Sequence, residues 1–401
     1  MSSRNFRLYF VGQTISVSGT WMQNVAQGWL VLKLTHNSPV ELSFVVALQW
    51  LPMLFFGSFG GLAADRSNKR TILLCTQVAA ATLALVLGVL VSTHHDSIHV
   101  LFLLAGLLGI VNLFDNPARQ SFVQEMVGRD LIANAISLNS VIMNSGRVIG
   151  PALAGMFLAL VGVATCFYVN AASYITVIMA LALMRTRELR PIETVTRTRG
   201  QLRLGLRYVQ ENPLLRDVLI ATSVVGTFAF NFTITLPELS KVTFGYGGDA
   251  WPYTFLMTAM GVGAMIGGLF VAHRSRPTPR LLAVLAGLFG IFLSGVAYSP
   301  NVGIAIALMV PTGVASIAFL STANALLQLN SAENMRGRVM SLYATGVLGT
   351  TPVGALIIGQ VIQASDPRIG ILIGSLLTIA TGSWLLFAFG RGRTVEVVAL
   401  A

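Results

Sequence analysis

The sequence predicts an all-α polytopic membrane protein, with twelve transmembrane helices in two six-helix pseudo-repeats. Three observations predict it. Residues 8–32, 42–64, 71–93, 218–237, 339–365 and 369–390 contain no Asp, Glu, Lys or Arg, and 148–184 and 281–332 are uncharged for long enough to cross a bilayer twice. About 20 apolar residues at 1.5 Å rise per residue span a hydrocarbon core about 30 Å thick. Inside lipid the backbone must satisfy its own polar groups, so only helices or closed barrels cross, and runs this long exclude the short alternating strands of a barrel. Composition agrees: 54% of residues are apolar and only 10% charged, against roughly a quarter charged in a soluble domain. The third observation is that the charges are sorted between alternate loops.

The first span, 8–32, follows Arg4 and Arg7. It is longer than a signal-peptide core and lacks a small-x-small cleavage site, so it is expected to be retained. The second, 42–64, begins beyond Pro39, with Glu41 placed to stabilise a helix N-terminus. Spans three and four, 71–93 and 98–122, flank His94, His95, Asp96 and His99, read as a solvated loop rather than a metal site. Spans five and six, 132–160 and 163–184, leave only a very short turn at 161–163.

A polar segment, 185–210, then divides the chain into an N-terminal half (1–185), a basic cytoplasmic linker (186–212) and a C-terminal half (213–401). Basic and apolar residues alternate over 201–209, which predicts an amphipathic helix on the cytoplasmic membrane surface. A simple basic linker that orients span seven is compatible with the same residues. The second half supplies spans at 215–237, 252–272, 281–299, 302–328, 339–363 and 369–390, with Tyr298-Ser299-Pro300-Asn301 as turn chemistry between nine and ten.

One set of alternate loops holds Arg4, Arg7, Arg66, Lys69, Arg70, Arg129, the basic linker, Arg274, Arg276, Arg280, Arg336, Arg338, Arg391 and Arg393. The opposite set holds Lys33, Lys241 and Arg368. By the positive-inside rule both termini are cytoplasmic and the span count is even. The net charge of +11 therefore serves orientation, and no nucleic-acid partner is expected. Cys75 and Cys166 lie on separate spans without ligand spacing. No phosphate-binding loop, zinc motif or nucleophile elbow occurs, so neither enzyme activity nor a cofactor is expected.

Motifs narrow the function. Between spans two and three stands Gly61-Leu62-Ala63-Ala64-Asp65-Arg66-Ser67-Asn68-Lys69-Arg70. Gly61 permits close helix approach, Asp65 ends an apolar span, and Asn68 is expected to take the left-handed conformation of a tight turn. In span five, Gly146, Gly150, Pro151 and Gly155 form a small-xxx-small face with a loosened backbone at the proline. A weak repeat relates 114–138 to 320–342, each followed by a Gly/Pro-bearing helix around Pro151 or Pro352, and paired halves around a midplane site are a transporter design.

The loop motif resembles the signature GxxxD(R/K)xG(R/K)(R/K) of the major facilitator superfamily, with Asn68 where that family usually has glycine. Gly146 to Gly155 resembles the GxxxGPxxGG element of exporters in that superfamily, with Ala154 replacing one glycine. Asn5-Phe6-Arg7-Leu8-Tyr9-Phe10, Gly19-Thr20-Trp21-Met22-Gln23 and Asp115-x-Pro117-Ala118-Arg119-Gln120 look like the bacterial subgroup that includes the enterobactin exporter and macrolide-efflux proteins. The resemblance is weaker in the second half, whose equivalent loop at 272–276 lacks the acidic residue. It implies a cytoplasmic charge lock involving Gly61, Asp65, Arg66, Lys69, Arg70 and Arg119.

Ionisable residues inside spans are functional candidates because their burial is costly. Arg147 lies near the middle of span five, and Asp115 and Arg119 share one face of span four, although Arg119 could instead answer Asp65. Asp115 is the first candidate for proton coupling, with Glu238 second and Arg147 as a neighbouring charge. At the end of span seven, Glu238 is otherwise expected to be a solvated helix-end carboxylate. Gln23, Gln27, Trp50, Asn112, Asn144, Phe228, Asn231 and Met257, together with Phe230 and Met260, are candidates for an amphipathic cavity.

These readings lead to a secondary active transporter in the bacterial inner membrane, monomeric, exporting amphipathic small molecules such as drugs or siderophores by alternating access. Proton antiport is what the resemblance implies. A facilitator-type importer and a non-transporting receptor or scaffold are the alternatives.

Overall fold

The computed structural model describes residues 4–127, 132–189, 201–273 and 277–390, with the Asp65 side chain and those of some other helical positions outside that description. The expected loop residues Arg129, Arg274, Arg276, Arg391 and Arg393, and residues 190–200 of the linker, also lie outside it. Among the described residues there are helices and no strands. The first half comprises α1 (Arg4–Leu34), α2 (Pro39–Arg66), α3 (Lys69–Ser92), α4 (Ile98–Val127), α5 (Ile132–Leu160) and α6 (Val163–Ala182). A linker helix, α7 (Gln201–Glu211), follows. The second half comprises α8 (Pro213–Phe228), α9 (Phe232–Glu238), α10 (Trp251–His273), α11 (Pro279–Tyr298), α12 (Val302–Leu329), α13 (Glu333–Ala344), α14 (Thr351–Ala364) and α15 (Pro367–Gly390).

Eleven segments among the described residues are long and apolar enough to cross a membrane. The twelfth crossing is α1, whose 31 residues give ample length. Its apolar character is diluted by Gln13, Ser16, Ser18, Gln23 and Gln27, all turned into the protein and buried. The complementary surface is apolar: Phe55 and Phe59 of α2, Leu103 of α4 and Leu376 of α15 are exposed. A surface of that kind suits lipid rather than water.

Local sequence accounts for the joints. Ser38, Thr278 and Asn301 cap α2, α11 and α12 by accepting a backbone N–H of the first turn, and Pro39 and Pro279 open two of these helices. Gly162 adopts φ +102°, which closes the short turn between α5 and α6. Three expectations are corrected. Asn68 is not left-handed: at φ −65° and ψ 111° it caps α3 by accepting from Thr71 N, because asparagine's side-chain carbonyl satisfies an otherwise orphaned helix donor. Spans seven and eleven are not continuous α-helices. The seventh breaks between α8 and α9 and ends in a π turn at Leu239–Thr243, and the eleventh joins α13 to α14 through a π turn at Thr345–Gly349.

Within the first half α1 packs on α5 and α6, α2 on α4, and α3 on α4 and α6; within the second, α10 packs on α12 and α11 on α12 and α15. The halves meet along α5 with α10 and α2 with α14. The latter contact is tight where Gly359 faces Ser43, since a Cβ there would stand 2.6 Å from the Ser43 hydroxyl and 2.9 Å from the Pro39 carbonyl oxygen.

Candidate functional site

The break in the seventh crossing builds a cavity between the halves. After α8 ends, Asn231 turns its amide back to donate to the carbonyls of Thr227 (2.8 Å) and Phe228 (3.2 Å), satisfying acceptors that the break frees. Phe230, Phe232 and Thr233 then line a cavity of about 100 Å³ together with Trp21 of α1, Arg147 of α5, and Met257, Met260, Gly261 and Ala264 of α10. The Arg147 guanidinium lies 5.4 Å from the Trp21 ring centroid, within cation–π range. Among the described residues it has no carboxylate partner and no hydrogen-bond acceptor.

Pro151 has a mechanical role here. Lacking an N–H, it leaves the Arg147 carbonyl without its helical donor. Gly261 brings α10 against that carbonyl group: a Cβ at 261 would stand 2.8 Å from the Arg147 carbonyl carbon and 3.0 Å from Val148 N. The other motif glycines seat α5 on both sides. Gly146 faces Trp21 and Val17, and Gly150 faces the α1 backbone, where a Cβ would be 2.8 Å from both Met22 N and Ser18 O. Gly155 faces Thr254 of α10 in the other half.

Of the expected cavity residues, Met257 lines this space, as do Phe230 and Met260. The others do not line it in this conformation. Gln23 accepts from Asn170 Nδ2 (2.7 Å) and Gln27 from Gln49 Nε2 (3.2 Å), so both join helices of the first half. Asn231 is occupied with the α8 carbonyls. Trp50, Asn112, Asn144 and Phe228 are half-buried away from the lining. Sequence reasoning missed Phe232, Thr233, Gly261 and Ala264 as lining residues, and Trp21 entered it only within a motif. The one cue to the break was a polar Asn231 in an apolar run, with neither Gly nor Pro at residues 228–231.

The charges near the termini form separate constellations. Asp115 is 2% exposed; its Oδ1 accepts from Thr76 Oγ1 and Gln77 Nε2, each at 2.8 Å, and its Oδ2 pairs with Arg119 one turn along α4. Arg119 thus answers Asp115, and the side chain of Asp65, the other candidate partner, lies outside the described residues. Lys69 pairs with Glu125 at 2.6 Å, a contact the sequence did not suggest. Arg70 donates to the carbonyls of Leu181 (2.7 Å) and Ala182 (3.3 Å), closing the C-terminus of α6. Arg66 is exposed and Gly61 buried.

At the opposite end of the bundle, Glu238 corrects another expectation. It is not solvated but 1% exposed, and its Oε1 has no hydrogen-bond partner among the described residues. The chain continues past it into the π turn, and α9 packs against α1, α2, α10, α14 and α15, which carries the carboxylate inside. Lys241 lies one turn on, donates to Asn37 Oδ1 at 3.1 Å, and sits 4.2 Å from the Trp29 ring centroid. Both of these partners belong to the other half.

A family model described as transmembrane secretion effector matches residues 1–396. The chain is 26% identical over 361 residues to the staphyloferrin A transporter of Staphylococcus aureus, covering 88% of each. It is 24% identical over 386 residues to the multidrug efflux pump Tap of Mycolicibacterium fortuitum, covering 92% of each. Among solved structures it superposes on the nucleoside transporter NupG (D323A mutant) with a TM-score of 0.74 at 13% identity, covering 96% of this chain and 99% of that one; at that identity the likeness is one of fold.

Proposed function

The chain belongs to the transmembrane secretion effector family of the major facilitator superfamily, and we propose that it is an exporter of amphipathic small molecules, of the siderophore or drug class, working by alternating access. The observation that carries the reading is the cavity between the halves, where an arginine, aromatic rings and methionines converge at a broken helix. Concave, mostly apolar sites with a few convergent polar groups are where small molecules bind, and discontinuous helices at the repeat interface mark such sites in secondary transporters.

The arginine-rich loops support a cytoplasmic position for both termini. The end of the bundle carrying Asn37 and Lys241 is then periplasmic. Contacts between the halves concentrate there and at middle depth: Lys241 with Asn37, Gly359 with Ser43, Gly155 with Thr254, and Gly261 with Arg147. In this reading the conformation is closed to the periplasm, and rocking of residues 1–185 against 213–401 exchanges that closure for one near Asp65 and Arg119. Proton antiport supplies the energy, and a monomer suffices for the cycle.

Everted inner-membrane vesicles test the reading. Respiring vesicles that contain the protein should accumulate at least one of a panel of amphipathic compounds, and a protonophore should abolish the accumulation. Accumulation that persists with the protonophore would refute proton coupling. Uptake into intact cells in place of vesicles would reverse the direction.

A further inference from the structure

We infer that the inter-half cavity recognises an organic anion, a carboxylate or sulfonate carried on an aromatic body, through Arg147. This rests on reading the cavity as the transport pathway, and adds the chemical class of its occupant.

Arg147 is the sole charged side chain in the lining, and no acidic residue contributes to it among the described residues. Other buried cations among the described residues are answered: Lys69 by Glu125, Arg119 by Asp115, Lys241 by Asn37 and the Trp29 ring. Arg147 has only the face of Trp21. A guanidinium carries five N–H donors in a planar fork that matches a carboxylate or sulfonate two bonds at a time. With its charge unopposed in surroundings of low polarity, an incoming anion gains more than it would at a solvated surface, and an incoming cation is repelled.

The rest of the lining specifies the body of the ligand. Phe230 and Phe232 stand edge to face, with centroids 5.9 Å apart and planes at 81°. Phe230 is backed by Phe289 at 5.4 Å, so its ring is held in place. Met257 and Met260 offer adaptable thioethers on the facing helix. Rings on one wall and sulfur on the other suit a flat aromatic group. The volume of about 100 Å³ is below the roughly 300–1,000 Å³ of pockets that enclose drug-sized ligands. In this conformation the cavity receives the anionic head and an adjoining ring, and a larger molecule requires the halves to part.

The test is equilibrium binding to the purified full-length protein in detergent, by titration calorimetry, with naphthalene-2-carboxylate and naphthalene-2-carboxamide as matched probes. A charge-assisted hydrogen bond contributes about 1.5–3 kcal/mol, so the carboxylate should bind about tenfold or more tighter than the amide. Arg147→Gln should erase that difference while changing amide affinity little, and Arg147→Lys should restore part of it. A second variant, Thr233→Asp, supplies the guanidinium with a carboxylate of the protein's own and should also suppress carboxylate binding with Arg147 intact. Equal affinity of the wild type for the two probes, or equal loss of both in Arg147→Gln, would overturn the inference. The assay requires no gradient and no direction. Arg147-dependent binding without vesicle accumulation would refute the export reading alone, while accumulation with no preference for the anion would refute the anion site alone.

Discussion

Lys241 reaches across the two halves of the protein to Asn37, 3.1 Å from Nζ to Oδ1, while its ammonium rests 4.2 Å from the centroid of the Trp29 ring. Asn37 is held for this contact by the turn after α1, where it adopts φ 67°, a left-handed conformation that asparagine tolerates better than most residues. Lys241 is carried by the π turn that follows α9. Neither residue belongs to a recognised motif, yet together they clasp the end of the bundle opposite the termini.

Removing the clasp should open that end. A hydrogen bond to a charged group contributes about 1.5–3 kcal/mol, so Asn37→Ala should shift the balance between the two access states by about tenfold or more. Spin labels at His36 and Val242, both exposed, should report a longer distance in the variant, once the exposed Cys75 has been replaced. An unchanged distance distribution would mean that the clasp does not govern the equilibrium.

Gly150 should be a packing position, not a substrate contact. It lies against the backbone of Met22 and Ser18 and outside the cavity lining. Gly150→Leu forces α1 away from α5 at an overpacking cost of about 1–3 kcal/mol, and because both helices carry lining residues the cavity should widen. The expected phenotype is normal membrane insertion with lost or leaky transport in vesicles. Transport at the wild-type rate would show the close approach to be dispensable.

The fold was legible because membrane burial is written in composition. Uncharged runs and sorted arginines fixed twelve crossings, and even the first, rich in glutamine and serine, declared itself because residues 8–32 carry no charge. Breaks inside crossings were not legible. Phe228-Ala229-Phe230-Asn231 contains neither Gly nor Pro, so the α8–α9 interruption depends on tertiary contacts that no local rule reports. The site was half legible for the same reason. Arg147 and Met257 stood out by type, but whether Gln23 or Gln27 faces a cavity or a neighbouring amide is decided by helix rotation, and the structure turns both toward partners. Glu238 looked like a solvated end because the sequence marks where a span stops being apolar, not what packs over it.

The Lys69–Glu125 pair joins α3 to α4 beside the loop signature, with both side chains at most 10% exposed. Breaking a buried pair by removing one partner costs about 3–5 kcal/mol, whereas replacing both by apolar groups is often neutral. Glu125→Gln should therefore lower the thermal midpoint of the purified protein, and Lys69→Met combined with Glu125→Leu should recover most of it. If the double variant is as unstable as the single one, the pair does something other than neutralise a buried charge, and a role in the loop lock becomes the better account.

Coupling is the last expectation, and the geometry reverses the order in which the carboxylates are considered. Asp115 was the first candidate by depth, but its oxygens are engaged by Thr76, Gln77 and Arg119, and protonation would disrupt that set of bonds. Glu238 has a buried oxygen with no partner among the described residues, so a proton can be added there without displacing an existing hydrogen bond. The charged group beside it is Lys241, which is itself flanked by Lys33. Glu238 also sits beside the Lys241–Asn37 contact on the side opposite the termini, so in the proposed cycle its charge would act on the element that opens. Glu238→Gln should therefore abolish uphill accumulation in proteoliposomes with an imposed pH gradient while preserving counterflow, which needs no net proton movement. Asp115→Asn should impair both, because it removes a structural anchor of α3, α4 and Arg119. If Glu238→Gln still concentrates substrate and Asp115→Asn alone loses only the uphill component, the proton is carried at Asp115 and the original order stands. If both variants concentrate substrate, neither carboxylate carries it.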